Sequence, residues 1–257
     1  MKKPICALFL CGLTSMGLAM PSSGRLYQPA STVSIDQVRQ AHNLRESPNA
    51  PLAFTATAVK LTPYPGELDN SLPSFFERKV NVSFGAGAFK RHSVDPLGLR
   101  ERIDLFDGRE MYHTAVEMGK QVEQANQTGD SHTGDPALGI KTFGLVPVLI
   151  QLSDTATEVI YLGRTARKED KFEVKTSYGS LILYSDQRHI IRKVEIGART
   201  IEYADYRVVE GIRLPFIQRV YTGGRLIYEL VFTGIDLNPT FPADYFSREA
   251  LSKEITR

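Results

Sequence analysis

The sequence predicts an α+β protein that is mainly β, built as one large curved antiparallel sheet with helices in its concave side. Near the C-terminus, in the stretch Arg192 to Asp236, turn signals at Gly197-Ala198, Glu210-Gly211 and Gly223-Gly224 are 13 residues apart. This spacing leaves about 11 residues for each strand of a β-meander, longer than the usual ~5–6, and favours a large curved sheet. Apolar and charged side chains alternate along these strands, so we expect one buried and one solvated face.

The first residues have the pattern of an export signal. Lys2 and Lys3 precede an apolar run from Ile5 to Leu18, and Gly17-Leu18-Ala19 supplies small residues at the two positions that a leader peptidase reads. The run is shorter than the ~20 apolar residues that a membrane-spanning helix needs, which argues against a retained anchor. We therefore expect export, with cleavage near Ala19.

This signal divides the chain into three predicted parts. Residues 1–19 are the signal peptide, and residues 20–31 are a flexible leader rich in proline and serine. Residues 32–257 are expected to form a single domain, because no linker separates the predicted strands from the predicted helices. With 42% hydrophobic and 23% charged residues, the 257-residue chain has the composition of a globular protein.

Loss of the signal changes both the cysteine content and the charge. Cys6 and Cys11 leave with it, so the mature chain is expected to be free of cysteine and of disulfides. Leu10 is bulky where a lipoprotein signal has a small residue, which disfavours a lipid anchor on Cys11. Removal of Lys2 and Lys3 leaves equal numbers of basic and acidic residues. This balance does not suggest a nucleic acid partner.

Local signals place the predicted elements in order. Ser34 and Gln37 form a capping box ahead of a short helix at about Ile35–Leu44. Further along, Asp107-Gly108 is a strong hairpin signal between two strands. The strands predicted before the meander are Leu52–Leu61, Phe75–Phe84, Phe89–Val94, Leu99–Phe106, Arg109–Val116, Thr157–Thr165, Lys171–Ser177 and Ser180–Tyr184.

The composition changes twice between the Asp107-Gly108 hairpin and the later strands. Glu117 to Asp135 is polar and rich in Gly, Gln and Thr, which predicts a mobile loop. Asp135-Pro136 can start a helical region that reaches about Leu152, and Gly144 and Pro147 are expected to divide it in two. The second half has no clear polar face, so it must be covered or must itself cover an apolar surface.

Four segments carry a family resemblance: Tyr203-Ala204-Asp205-Tyr206-Arg207, Glu210-Gly211-Ile212-Arg213-Leu214-Pro215, Leu105-Phe106-Asp107-Gly108-Arg109, and Asn238-Pro239 with Phe241 and Phe246. With the order of elements between residues 32 and 250, they make the chain resemble the LolA/LolB-like superfamily of periplasmic lipoprotein carriers. It is most similar to the outer-membrane lipoprotein-sorting-like proteins of that group. The resemblance implies a periplasmic incomplete barrel, with an apolar cavity under a helical lid that shelters acyl chains. Its motifs are signatures of fold rather than of chemistry.

A ligand-binding hypothesis follows from two apolar surfaces. The concave face of the sheet must be filled, and the last helical segment has more apolar side chains than one helix face can bury. If this helix moves as a lid, these side chains alternate between the sheet and an acyl chain; if it packs permanently, they are core residues. The predicted lining is Phe76, Val80, Val82, Phe143, Leu145, Val148, Leu149, Leu152, Leu181 and Leu183.

The expected partners are therefore lipid or lipoprotein acyl chains, with transient membrane contact, an envelope protein as a further partner, and a monomeric chain. No catalytic residue, cofactor or metal is assigned, because the sequence lacks P-loop, nucleophile-elbow and zinc-protease motifs. Asp130, His132 and Asp135 are close in sequence, but in a polar loop such residues are ordinary. Two other functions stay open: an envelope sensor or protein-interaction module of the same fold, and an enzyme with a dispersed site.

Overall fold

The computed structural model describes residues 33–44, 53–63, 75–85, 88–117, 120–127, 145–154, 157–176 and 179–255. These residues form three helices, α1 (Ile35–Ala41), α2 (Leu145–Ser153) and α3 (Arg248–Ile255). The thirteen strands are β1 (Ala53–Pro63), β2 (Phe75–Gly85), β3 (Ala88–Val94), β4 (Arg100–Phe106), β5 (Met111–Glu117), β6 (Lys120–Gln127), β7 (Val159–Arg164), β8 (Asp170–Thr176), β9 (Gly179–Ser185), β10 (Ile191–Ile196), β11 (Arg199–Val209), β12 (Ile212–Thr222) and β13 (Arg225–Leu237). The expected signal peptide and leader lie outside the described residues and stay predictions.

All thirteen strands belong to one antiparallel sheet, in the order β6-β5-β4-β3-β2-β1-β13-β12-β11-β10-β9-β8-β7. Pairing of β1 with β13 joins an N-terminal half to a C-terminal half. Within each half, strands that follow each other in sequence are neighbours, as in a meander. The strands β6 and β7 are the two edges of the sheet, which is therefore an incomplete barrel. The predicted fold class is confirmed.

The C-terminal strands follow the predicted turns. Gly197-Ala198, Glu210-Gly211 and Gly223-Gly224 join β10 to β11, β11 to β12 and β12 to β13. At the middle turn, φ is 49° at Glu210 and 86° at Gly211. A two-residue type I′ hairpin needs positive φ at both positions, and glycine adopts it without steric cost. The predicted meander is therefore confirmed.

The start of α1 is also as predicted. Asp36 N–H donates to the Ser34 hydroxyl oxygen at 3.1 Å, and Ser34 N–H donates to the Gln37 side-chain oxygen at 3.1 Å. These bonds satisfy two amides that the first helical turn leaves without partners. The helix ends at Ala41, earlier than predicted, and His42 is its C-cap.

The prediction of a loop from Glu117 to Asp135 was wrong in its first half. Lys120–Gln127 is β6, which pairs with β5 from Glu117 opposite Lys120 to Met111 opposite Gln127. Polar composition argued for a loop, but a neighbouring strand supplies backbone hydrogen bonds regardless of side chains. The second half lies within residues 128–144, outside the described part of the chain.

The second half of the predicted helical region is the helix α2, and Pro147 lies inside it. The helix α2 begins at Leu145, so Pro147 lies in its first turn. Amides in the first turn have no partner within the helix, and proline, which lacks an N–H, is tolerated there. Gly144 and the predicted start at Asp135-Pro136 lie outside the described residues.

The two faces of the sheet are covered differently. We call inner the face that carries Val80 and Val82 on β2, and α2 shares one hydrophobic core with it. The opposite, outer face has a smaller core that was not predicted, made of Ile103, Leu105, Tyr112 and Leu251, the last from α3. In the described ranges, no helix is both long enough and apolar enough to span a membrane.

An aromatic cluster in the C-terminal segment packs close to the end of β2. The ring centroids of Phe241, Tyr245 and Phe246 are 4.8 to 5.0 Å apart. A Cβ atom at Gly85 would lie 3.2 Å from the Phe241 ring, so glycine at this position permits the close approach.

Candidate functional site

The strands β1 to β5 give the inner face an apolar end. Phe54, Phe84, Phe89, Phe106 and Met111 occupy one row across these strands, each opposite the next. Phe54 stacks on Phe84 with ring centroids 5.9 Å apart, and Phe89 lies 5.7 Å from Phe106. Because side chains two residues apart share a face, Val80 and Val82 continue this apolar surface along β2.

The helix α2 contributes its apolar side chains to the same core. Most of the residues predicted to line the cavity belong to this core, and each is 0–2% exposed: Val80, Val82, Leu145, Val148, Leu149, Leu152, Leu181 and Leu183. The fold thus brings together residues from β2, α2 and β9, which are far apart in sequence. Phe76 lies in β2 but its side chain is outside the described set, and Phe143 lies outside the described residues. In this conformation the eight buried side chains pack as core, and their role in ligand binding stays a prediction.

The C-terminal end of α2 is held by a side chain of α1. Arg39 donates from Nε to the Leu152 carbonyl at 2.7 Å and from Nη2 to the Asp154 carbonyl at 3.3 Å. Carbonyls at a helix C-terminus have no partner within the helix, and a cation there is favourable. Arg39 therefore couples the position of α2 to that of α1.

The residue after α1, His42, ties this helix to two strands of the sheet. Its side chain is fully buried. Ile191 N–H of β10 donates to His42 Nε2 at 3.1 Å, so Nε2 carries no proton. The other ring nitrogen, Nδ1, then donates to the Arg213 carbonyl of β12 at 2.8 Å. The arrangement requires the neutral ring, and burial lowers the pKa of His42 to about 4.

Arg213 can form hydrogen bonds with the end of α1 because β12 is not paired with β13 at this position. The ladder between β12 and β13 covers Ile217–Thr222, so Arg213 lies beyond it. Its N–H donates to the His42 carbonyl at 3.2 Å, and its guanidinium donates to the Ala41 carbonyl at 2.8 Å. The end of the helix thus takes the place of a strand partner.

The other end of the inner face, on β2 to β5, is charged. Asp104 is 2% exposed and accepts from Arg91 Nε at 2.9 Å, from Arg102 Nε at 2.8 Å and from His113 Nδ1 at 2.6 Å. Burial by itself would raise the pKa of Asp104, but the His113 hydrogen bond and the two guanidinium charges hold it well below its usual range. This carboxylate keeps its charge, and it organises three side chains around it.

Lys60 and Arg78 extend this charged region. They face each other across β1 and β2, and Arg78 borders a cavity of about 330 Å³ together with Ser93, Arg100 and Arg102. The Lys60 ammonium lies 4.5 Å from the centre of the Tyr228 ring. Burial, followed by repulsion from Arg91 and Arg78, lowers the pKa of Lys60 to about 8. The region therefore has an excess of positive charge.

Lys60 and Arg78 belong to a row of cross-strand partners that continues into the C-terminal half of the sheet. Two buried polar side chains, Tyr203 and Gln218, lie in this row. Tyr203 is opposite Gln218, Gln218 is opposite Leu230, and Leu230 is opposite Lys60. Tyr203 is 4% and Gln218 is 1% exposed. Within the described structure, the Tyr203 hydroxyl and Gln218 Nε2 have no hydrogen-bond partner. Buried donors without partners are costly and call for an explanation.

The contacts of Asp104, His113 and His42 were not predicted from the sequence, for two different reasons. The Asp107-Gly108 hairpin, once placed, puts Asp104 opposite His113, so that contact had a local signal. By contrast, His42 forms hydrogen bonds with Ile191 and Arg213, which are 149 and 171 positions away in the sequence. No local sequence pattern predicts such contacts.

Comparison with solved structures bears on the fold. A LolA superfamily protein from Nitrosomonas europaea superposes with a TM-score of 0.53 at 14% identity, over 85% of this chain and 99% of that one. The fold is LolA-like. A DUF1329 family protein from Desulfovibrio piger superposes with a TM-score of 0.51 at 9% identity, over 84% of this chain and 96% of that one. No family model and no curated protein matches this LolA-like chain. The resemblance stated from the sequence is thus confirmed for the fold.

Proposed function

We propose that this LolA-like protein is exported to the periplasm and there binds the acyl chains of a lipid or lipoprotein between α2 and the inner face of the sheet. The proposal depends on one observation about α2. Six of its nine residues are buried, and this apolar helix shares a core with the inner face of a sheet that is not closed. Binding, rather than catalysis, is the proposed activity.

An acyl chain can replace the packing of α2 against the sheet. Leu149 and Leu152 are fully buried, and the residues of β2 and β9 that belong to the same core, Val80, Val82, Leu181 and Leu183, are aliphatic. A saturated chain presents the same chemistry, and each methylene that it buries contributes about 0.8 kcal/mol. A chain of roughly ten carbons therefore contributes about 8 kcal/mol towards the cost of moving α2 away from the sheet and of ordering the ligand.

The test begins with the mature protein, stripped of lipid and shown to be folded by circular dichroism. A fluorescent fatty acid is titrated into it, and native mass spectrometry of protein purified from its own periplasm identifies the natural ligand. We expect saturable binding of one amphiphile. If the folded protein binds no acyl ligand, the carrier function is excluded, and the protein-interaction function becomes the better explanation.

Two matched variants locate the binding surface. Leu149 and Leu105 are both fully buried, but Leu149 belongs to the inner core and Leu105 to the outer one. Serine at either position costs similar stability, about 3 kcal/mol, because it removes apolar packing and buries a hydroxyl. Leu149→Ser should weaken fatty acid binding about tenfold, while Leu105→Ser should leave it unchanged. Equal effects of the two would place the ligand elsewhere.

A further inference from the structure

The inner face changes from apolar to basic along the length of β2. Val80 and Val82 belong to the apolar core, and Arg78 lies on the same face two residues before Val80. From Arg78 to Phe84 the strand spans about 20 Å, at ~3.4 Å for each residue. This length accommodates a long acyl chain with its headgroup at Arg78.

Positive charge exceeds negative charge at that end. Among the described side chains on the inner face of β1 to β5, five are basic and two are carboxylates: Lys60, Arg78, Arg91, Arg100 and Arg102 against Asp104 and Glu117. Asp104 binds Arg91 and Arg102, and Glu117 binds Arg100 at 2.6 Å. Glu101, on the other face of β4, also lines the cavity beside Arg78, so basic residues outnumber acidic ones five to three and a bound anion would meet a net positive charge.

The geometry points to a ligand with an acidic headgroup, and this inference rests on the proposed function. We infer that the protein binds an anionic amphiphile whose phosphate or carboxylate lies beside Lys60, Arg78 and Arg102, while its chain follows the inner face towards α2. The cavity of about 330 Å³ beside Arg78 and Arg102 receives the headgroup. Guanidinium groups bind phosphate and carboxylate oxygens in paired hydrogen bonds, which suits them to this role.

The buried donors in the row of Lys60 supply a second, independent observation. The Tyr203 hydroxyl and Gln218 Nε2 are both able to donate, and both lack an acceptor within the described structure. Gln218 is two strands and Tyr203 three strands from Lys60, so a ligand whose ester, amide or hydroxyl oxygens extend along this row presents acceptors of the right kind. In the bound state these oxygens satisfy the two donors, which a hydrocarbon chain cannot do.

The test compares ligands that share a dodecyl chain and differ in their headgroup. Dodecyl phosphate, dodecanoate and dodecyltrimethylammonium are titrated calorimetrically, below their critical micelle concentrations, into delipidated mature protein. Inorganic phosphate is titrated separately. The two anionic ligands should bind at least about tenfold more tightly than the cationic one, with an affinity that falls as salt is raised. The tighter of the two identifies the headgroup as phosphate or carboxylate.

Neighbouring residues on β2 provide matched variants. Arg78 is on the inner face, whereas Lys79 is exposed on the outer face. Arg78→Gln should weaken dodecyl phosphate about tenfold and leave the cationic ligand unchanged or tighter, while Lys79→Gln, with the same loss of charge, should change neither. Lys60→Met provides a second inner-face variant with the same expectation, should Arg78→Gln not fold.

Each contrary outcome has a distinct meaning. Equal affinity for the anionic and cationic ligands overturns the headgroup inference but leaves acyl binding intact. Equal weakening by Arg78→Gln and Lys79→Gln overturns it as well, because only net charge would matter. Inorganic phosphate that binds as tightly as dodecyl phosphate shows a simple anion site and excludes an amphiphile. If no dodecyl ligand binds, the proposed function itself fails.

Discussion

His42 joins α1 to the sheet through both nitrogens of its ring. One nitrogen accepts from Ile191 on β10 and the other donates to Arg213 on β12. Nearby, the Tyr206 hydroxyl donates to the Ile191 carbonyl, and burial raises the pKa of Tyr206 far above its usual value. The Ile191 amide has an acceptor only while His42 is neutral, because a protonated ring would place an N–H donor against it.

Stability should therefore depend on pH through His42. The pKa falls from 6.5 to about 4 on folding, so between these values the unfolded chain binds more protons than the folded one. The stability that the neutral His42 ring contributes is present above pH 6.5 and is lost as the pH falls towards 4. At pH 4.5 the free energy of unfolding is lower by about 2.5 kcal/mol. Urea unfolding at pH 7 and pH 4.5 measures this difference.

The matched variant is His42→Gln, whose amide can both accept from Ile191 and donate to Arg213 but does not titrate. We expect its free energy of unfolding to change less between pH 7 and pH 4.5 than that of the wild type, by about 2 kcal/mol. Carboxylates that titrate in the same range affect both proteins equally. A wild-type and a variant that lose the same stability would show that His42 is not the group responsible.

Among the elements, α2 receives two of the hydrogen bonds at its C-terminal end from Arg39 of α1. Arg39 contacts the carbonyls of Leu152 and Asp154, and it also pairs with Asp36 at 3.0 Å near the surface. The first contacts are buried or partly buried, whereas Asp36 is 40% exposed. The cap of α2 should therefore contribute more to stability than the ion pair.

Substitution of Arg39 tests this difference. Arg39→Met keeps the apolar stem but leaves both carbonyls without their donor, and we expect a loss of about 2 kcal/mol in the free energy of unfolding. Asp36→Asn removes the ion pair and keeps the cap, and it should cost no more than about 0.5 kcal/mol. Chemical unfolding of both variants at pH 7 gives the two values. If Asp36→Asn costs as much as Arg39→Met, the cap is not what holds α2.

At the scale of the whole molecule, the open sheet has a protected centre and two exposed edges. The central strand β1 pairs with β2 along its whole length and with β13 over most of it. By contrast, β6 pairs only with β5 and β7 only with β8 within the described sheet. Strands that are bonded on both sides open less readily than edge strands.

Hydrogen exchange should follow this order. We expect the backbone amides of β1 and β13 to exchange most slowly, close to the rate set by global unfolding, and those of β6 and β7 to exchange fastest among the strands. Exchange measured by mass spectrometry on peptic peptides resolves these strands. Protection of Lys120–Gln127 equal to that of β1 would mean that β6 is covered on its free side and is not an edge.

Several turns of the C-terminal half and the start of the first helix could be predicted from local sequence. The turns at Glu210-Gly211 and Gly223-Gly224, and the capping box at Ser34, depend on residues a few positions apart, and each was found where it was expected. The apolar character of α2 was equally clear, because a helix without a polar face must be buried. These features follow from backbone conformation and side-chain chemistry within one element.

Only the tertiary structure decided which distant groups meet. It made β6 a strand, although its residues are polar, because β5 offered backbone partners. It placed His42 between β10 and β12, and it aligned Tyr203 and Gln218 with Lys60 in one row of the inner face. Such contacts depend on the register of pairings between distant segments, and a shift of one residue would move each side chain to the other face. The sequence contains the residues of the site, but the order of the strands brings them together.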